Sequence, residues 1–431
     1  MEDALIQASQ VGDIDALYKL IWEDDDILRR IDEKMFIDTP LHLAACSGQT
    51  HFAAEMINLM PSFTRKLNKS GFSPMHLALI NGHFKLVSLF VHADPGLVRV
   101  KGRWGLTPLH YAIKHENIYP MVNFLVACPE SIGDVTVRGE TVLHIAVKTN
   151  MLEALEVLVG WLQRICHKDA LDWVAFIPNW KDEQGNTALD IAVSNMQIQA
   201  IQLLAEINAK NSKGEDASQI LQRQTQLDRR AVLKMLRRHT PVVTASSLES
   251  IEWLTAFLRS KTLFPERLAV CIKRQRMSIS GDVLNALLVV AGLIIAGTCQ
   301  TMYNPPGSFR EDNNLSTNLT NSGIHGGPSR NVAAATAYGS TLEVSVNSSI
   351  LYFASTIVNL LLPDTVAREI VAALLFGLSG CYSMFLLIMC PYPAGTVLLF
   401  ALFSIYVSFH CIIMFGDRQI QRLTRFCNAN M

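Results

Sequence analysis

Four histidines stand in one frame. His42, His76, His110 and His144 follow one another at steps of 34 residues. The words around them share more than histidine. They read Thr39-Pro40-Leu41-His42-Leu43-Ala44, Ser73-Pro74-Met75-His76-Leu77-Ala78, Thr107-Pro108-Leu109-His110-Tyr111-Ala112 and Thr141-Val142-Leu143-His144-Ile145-Ala146. A unit this short cannot bury a core alone and must stack on its neighbours, so the front of the chain is a solenoid. A solenoid offers a long surface and few enclosed pockets. That favours holding partners over doing chemistry.

Thr followed by Pro marks a helix start. The hydroxyl accepts from a free N–H of the first turn, and Pro suits the first helical position, where its missing donor is not needed. Eight residues after the start the helix should stop. Gly48 and Gly82 fit that place, since a left-handed end residue costs glycine nothing. Asn150 is the next best residue there. Glu116 and Met196 are poor ones, so those units are expected to end less regularly. A second helix follows in each unit, and three of these close before Pro61, Pro95 and Pro129.

These words resemble the ankyrin repeat. The resemblance implies a helix–turn–helix unit with a projecting finger between units. Ala4-Leu5-Ile6-Gln7-Ala8 with Gly12 reads as a divergent first repeat. Thr187-Ala188-Leu189-Asp190-Ile191-Ala192 is a further one, with Asp190 in the histidine place. It follows an insertion of 12 residues near 164–179. Gly214 to Leu221 reads as a degraded last unit, so the array covers about 1–240. In the ankyrin pattern the histidine braces its own repeat by hydrogen bonding. A metal role is not expected. Zinc holds its ligand atoms at about 2 Å, whereas neighbouring stacked helices sit about 8–10 Å apart.

Composition changes near residue 280. Val283 to Tyr303 and Val344 to Leu362 carry no charge, and neither does the long run from Ile370 to Gly416. About 20 apolar residues cross the hydrocarbon, and Pro391-Tyr392-Pro393-Ala394-Gly395 breaks the last run with a turn signal. Four transmembrane helices are therefore expected, about 283–303, 344–362, 370–390 and 394–415. The second holds Asn347, Ser348, Ser355 and Asn359 and should face other helices. Gly292 with Ala296, and Ala373, Gly377 and Cys381, form small faces expected to pack helices.

Basic residues set the orientation. Arg259, Lys261, Arg267, Lys273, Arg274 and Arg276 precede the first span, and Arg418, Arg422 and Arg425 follow the last. Both termini are then cytosolic, and the 304–343 loop lies outside the cytosol. Met1-Glu2-Asp3 is acidic and unlike a signal peptide. Asn314 and Asn318 are glycosylation candidates in that loop. Residues 241–280 read as a basic juxtamembrane linker. Leu248, Ile251, Leu254 and Leu258 recur there at helical spacing. This segment is expected either to lie against the anionic leaflet or only to set insertion orientation.

The junction carries a second resemblance. Asn285-Ala286-Leu287-Leu288-Val289-Val290-Ala291, followed by Tyr303-Asn304-Pro305-Pro306-Gly307, is similar to the PGG domain, with Ser308 where the motif has its last glycine. That domain occurs in plant proteins that join ankyrin repeats to four membrane helices, and the chain resembles their bian da subgroup. The expected architecture is all-α, an ankyrin-repeat solenoid followed by a four-helix transmembrane domain over 281–431. The resemblance implies a multi-pass membrane protein acting in immunity or stress signalling. The plasma membrane ranks ahead of the endoplasmic reticulum as its address.

Net charge of −1 and a pI of about 6.9 oppose nucleic-acid binding. The nine cysteines contain no C-x-x-C. No phosphate loop, G-x-S-x-G or H-E-x-x-H occurs, so neither an enzyme nor a cofactor is expected. The first reading is a membrane-anchored scaffold or adaptor that binds a receptor or kinase, contacts membrane lipids, and has homo-oligomers open to it. The alternative is a subunit of an oligomeric ion channel or transporter, motivated by His410 within the last helix and by the polar second helix with Asn347 and Asn359. Partner-binding candidates are Phe36, Phe72, Arg103, Trp104 and Arg138 in or beside the fingers. Lys114, His115 and Lys148 stand where the first helix of a unit faces the concave side. Aromatic and arginine residues at tips are good anchors. Phe72 and Trp104 either serve that way or pack against an adjacent finger.

Overall fold

The computed structural model describes residues 2–217, 219–220, 251–303, 347–358, 362, 366–389 and 393–430. Two compact units emerge. One is Met1–Val270 with Arg418–Met431, the other Cys271–Asp417. Regular structure among the described residues is helical, with one isolated bridge between Lys210 and Asp216.

In the first unit α1 (Glu2–Val11) and α2 (Ile14–Glu23) make the divergent opening repeat, followed by α3 (Ile27–Glu33). The regular pairs are α4 (Pro40–Ser47) with α5 (Thr50–Leu59), α6 (Pro74–Ile80) with α7 (Phe84–Ala93), and α8 (Pro108–Lys114) with α9 (Ile118–Ala127). Next come α10 (Val142–Lys148) with α11 (Leu152–Arg164), the insertion helix α12 (Ala170–Phe176), and α13 (Ala188–Ser194) with α14 (Ile198–Ala205). The inner helices span only 7 or 8 residues. Helices this short are not stable alone, so burial must hold them. Leu41, Ala44 and Ala45 of α4, and their counterparts Leu109 and Ala112 of α8, are fully buried in one core that runs the length of the array.

Three of the four repeat histidines bridge two units. Nδ1 of His42 accepts from the backbone N–H of Thr39 at 3.2 Å and lies 2.7 Å from its hydroxyl. That backbone bond fixes the proton on Nε2, which donates 3.1 Å to the carbonyl of Phe72 in the next finger. His76 repeats this with Ser73 and the Leu106 carbonyl at 3.1 Å. His144 does so with Thr141 and the Asn186 carbonyl at 3.2 Å. His110 keeps the bond from Thr107. The equivalent carbonyl for it, that of Glu140, still raises the ring's proton affinity, but it falls outside the geometry of a formed hydrogen bond. Asp190 replaces the imidazole with an acceptor-only group. It keeps the bond from the Thr187 N–H at 2.9 Å and takes a second from the Ser212 N–H at 2.8 Å.

Five inner helices end on a left-handed residue at equivalent positions. These are Gly48, Gly82, Glu116, Asn150 and Met196, with φ between 54° and 75°. The expectation of less regular ends at Glu116 and Met196 is therefore not met. Stacking imposes the turn, and these side chains accept a backbone that glycine adopts freely.

The core does not stop with the repeats. Trp253, Leu254, Phe257 and Leu258 of α15 (Ile251–Arg259) belong to it, as do Leu423 and Phe426. The helix expected from Ile251, Leu254 and Leu258 is present, with Leu248 outside the described residues. Its apolar face is buried by α9 and α11, not left for lipid. The sequence showed the face but not what covers it. Gly160 of α11 permits the contact, since a Cβ there would lie 1.8 Å from the Leu258 carbonyl oxygen. Next to it, Arg164 is 0% exposed. Its guanidinium lies over the Phe257 ring, donates to the Ser260 carbonyl at 3.0 Å and pairs with Glu266 at 3.3 Å. Arg259 answers from α15 with ion pairs to Glu153 and Glu156 of α11, at 2.5 and 2.9 Å.

α16 (Phe264–Ser278) follows, and then α17 (Gly281–Tyr303), α18 (347–358), α19 (Val366–Met389) and α20 (Pro393–Asn430). Helix occurs in all four stretches expected to span. Two of the described helices, within α17 and α20, are long and apolar enough to cross a membrane. α20 runs on to Asn430 instead of ending near 415. Its Asp417 is buried and pairs with Lys273 at 2.8 Å. In the second unit α18 buries Ser348 and Ser355, as its polar composition implies. Tyr352 of α18 stacks on Tyr406 at 4.9 Å and hydrogen-bonds Ser383. Gly292, Ala296, Ala373, Gly377 and Cys381, expected to pack helices, are exposed with respect to the described residues. Asn314, Asn318 and the loop around them lie outside the described residues.

Two expectations follow for stability. Glu116→Gly and Met196→Gly relieve left-handed backbone and should each stabilise the chain by about 0.5–1 kcal/mol in chemical unfolding. Gly48→Ala should destabilise it by about 1–2 kcal/mol, since its new Cβ would also sit 2.6 Å from the His83 ring. The second concerns acid. Burial pushes His42, His76 and His110 down to about 4 and lowers His144 as well. Unfolded histidine titrates near 6.5. The unfolded chain therefore binds more protons between those values, and stability must fall as pH drops from about 6.5 toward 4. Above that window neither state is protonated and nothing is lost. Each of the three should contribute roughly 1.4 kcal/mol per pH unit inside the window. Unfolding free energies across it check this, and His76→Gln should remove about one proton of uptake.

Candidate partner-binding surface

The fingers form a hydrogen-bonded row. The Arg103 N–H donates to the Gly71 carbonyl at 2.7 Å, the Val137 N–H to the Trp104 carbonyl at 3.0 Å, and the Glu183 N–H to the Arg138 carbonyl at 3.0 Å. Tight turns at the tips make this possible. At Gly105, with φ of 69°, a Cβ would stand 2.8 Å from the Val137 nitrogen, so no side chain fits there without moving the next finger.

The row separates the candidate residues by what they do. Trp104 is 63% exposed, with its own φ at 63°, and the Arg103 guanidinium lies 5.7 Å from its ring centroid. Val137 and Arg138 are exposed on the next finger. Phe72 turns inward instead. Its ring meets Tyr111 edge-on at 5.7 Å and tilts against His76 at 6.3 Å. Tyr111 in turn stacks on His115 at 6.1 Å. Trp104 is exposed, as an anchor would be, whereas Phe72 packs on the inner helices and not against an adjacent finger. Phe36 is exposed with φ of 51°, between α3 and α4 and apart from this row.

On the inner helices Lys114 and His115 are exposed at the end of α8. Lys148 is not a free anchor. Its ammonium pairs with Glu140 at 2.5 Å and Asp182 at 3.3 Å, tying one finger to the next. Burial would raise Asp182, but the N–H of Asn186 and the ammonium of Lys148 outweigh it and hold the carboxyl below its usual range. Sequence reasoning missed Tyr111, which links Phe72 to His115 and whose phenol is pushed up by burial. Its signal was visible, since it stands where the other words have Leu43, Leu77 and Ile145. Arg164 was missed too, and a lone arginine inside the insertion carried no sign that it would be buried.

Together Arg103, Trp104, Lys114, His115, Val137 and Arg138 offer cationic and aromatic groups on backbone that neighbouring fingers hold still. Such a surface can bind; it holds no nucleophile paired with a base. Among the described residues no group of His, Cys, Asp or Glu side chains converges as metal ligands would.

Comparison with known proteins agrees with this geometry. The family model for ankyrin repeats matches three times, over residues 5–99, 87–172 and 109–215. Ankyrin repeat-containing protein BDA1 of Arabidopsis thaliana is 45% identical over 306 residues, which is 70% of this chain and 71% of that protein. Among solved structures, the ankyrin repeat domain of Bcl-3, a member of the IkappaB protein family, aligns at 27% identity and a TM-score of 0.35, over 42% of this chain and 78% of that one. A chain from the complex of the Bd0816 predatory endopeptidase of Bdellovibrio bacteriovorus with immunity protein Bd3460 aligns at 19% identity and a TM-score of 0.36, over 47% of this chain and 97% of that one. The chain belongs to the family of ankyrin repeat-containing proteins that includes BDA1.

Proposed function

We propose that this chain is a membrane-anchored scaffold whose finger row captures a cytosolic protein partner and relays a signal. Ankyrin repeats serve as protein-interaction scaffolds, which gives the general reading. The observation that carries the finer one is the exposed Arg103–Trp104 pair beside Val137 and Arg138, held on a hydrogen-bonded row. A rigid aromatic anchor flanked by arginines suits an acidic segment of a receptor or kinase. Four membrane crossings with both termini in the cytosol would keep that row beside receptors at the plasma membrane. The likeness to the bian da proteins supports a setting in plant immunity or stress. The docking of α15 on the repeats supports relay, because a partner's pull on the array would reach the segment leading toward the membrane helices. The ion-path alternative rests on His410 and the polar second helix. The ring of His410 is flanked by Phe376 at 5.6 Å and Tyr406 at 6.2 Å, the surroundings of a packed side chain.

Two measurements test this reading. Affinity purification of the full chain from plant membranes should recover a receptor or kinase. Trp104→Ala combined with Arg138→Glu should cut that recovery at least tenfold while leaving thermal unfolding within about 2 °C. Recovery unchanged by the double substitution would overturn the finger row as the partner site. Topology is read by glycosidase. Any sugar should sit on Asn314 or Asn318, and sugar on Asn68, which stands in the repeats, would invert the orientation.

A further inference from the structure

The insertion builds something the repeats do not need. A cavity of about 400 Å³ opens where α12 and the turn after it approach the short turns that end the outer helices. Trp173, Phe176, Ile177 and Trp180 supply its apolar side. A helix that only plugged the array would bury its aromatics. Here Phe176 is 62% exposed and Trp180 43% exposed, although Ala170 and Ile177 are buried against the core. Exposed aromatic clusters on one face mark contact sites.

Charge selects the occupant. The same cavity is lined by three carboxylates, Glu130, Asp169 and Asp172, and by one cation, Arg99. Arg99 is already spent on Asp134, which takes its Nε and Nη2 at 3.1 and 2.7 Å. Asp134 is not among the lining residues. Three carboxylates against one cation, engaged chiefly by Asp134 and only in part by Glu130, leave the aromatic walls under a net negative field. His167 stacks on the far ring, 4.7 Å from Trp173, and lies 3.5 Å from both Glu130 and Asp169, holding the two carboxylates on one side.

We infer that this cavity takes an arginine side chain of a partner protein, at a site separate from the finger row. A guanidinium is planar, so it stacks on indole and phenyl faces while its fork of donors meets carboxylates. An acidic peptide would be repelled, and an aliphatic one would leave the carboxylates unanswered. Half of the lining residues, Asp169, Asp172, Trp173, Phe176 and Ile177, belong to the insertion, which the other repeats do not have.

The test uses the full chain in nanodiscs of neutral lipid and a labelled Gly-Ser peptide containing two arginines. Its twin carries citrulline, which keeps shape and loses charge. Saturable binding of the arginine peptide should exceed that of the citrulline peptide at least tenfold. Asp169→Asn with Asp172→Asn should weaken it at least fivefold, and Trp180→Ala likewise, whereas Trp180→Phe should retain it. Trp104→Ala in the finger row should leave it unchanged, which separates this site from the one proposed above. Equal binding of the two peptides would overturn the inference. So would arginine-peptide binding that survives the Asp169 and Asp172 substitutions, or that is lost only with Trp104.

Discussion

A neutral imidazole in each of four repeats organises the array. Its Nδ1 accepts from the residue that starts its own helix, and at His42, His76 and His144 its Nε2 donates to the finger of the next unit. A protonated ring offers two donors and no acceptor, so the first bond would fail. Burial keeps the ring neutral, and the neutral ring makes the bonds that keep the stack closed. The bridge also fixes where a finger stands, because the carbonyl it reaches belongs to the finger itself. Phe72 shows this most directly. Its carbonyl is held by His42 while its ring packs on Tyr111, so helix, finger and concave surface are placed by one residue. Asp190 shows the limit of substitution. A carboxylate can take the cap but cannot donate, so it turns to an N–H, that of Ser212.

The parts of this fold that were legible in the sequence are those set by local chemistry. Thr-Pro starts, glycine stops and the 34-residue frame are local, and the helices appear where they predict. What escaped was decided by neighbours distant in the chain. Glu116 and Met196 take a glycine-like turn because the stack demands it. Lys148 reads as a concave-face cation, yet carboxylates from two fingers converge on it. Trp104 and Phe72 look equivalent as finger aromatics, and only the presence of Tyr111 opposite Phe72 separates them. The amphipathic pattern of α15 was visible, but a pattern of apolar residues does not say whether lipid or protein will cover it.

That last point bears on function most. Gly160 lets the α15 backbone lie against α11, and Arg164 is buried beneath it with Glu266 as its counter-ion. Burial lowers the pKa of Arg164, with Glu266 opposing the shift. A buried ion pair of this kind is a weak source of net stability, because desolvation offsets the attraction. Its geometry is nevertheless particular, since the guanidinium reaches two carbonyls, a ring and a carboxylate that all lie beyond residue 256. Arginine here sets where α15 sits more than how tightly it holds. The repeat array thus does not end with its last repeat but takes in α15 as part of its core.

Hydrogen–deuterium exchange of the full chain in nanodiscs tests this continuity most directly. A free helix of nine residues would not persist in water. If α15 is part of the array, amides at 255–259 should exchange on the same time scale as those at 156–162 in α11. Exchange of the 255–259 amides within seconds, beside slow exchange in α11, would contradict the account and return the segment to the role of a loose tether.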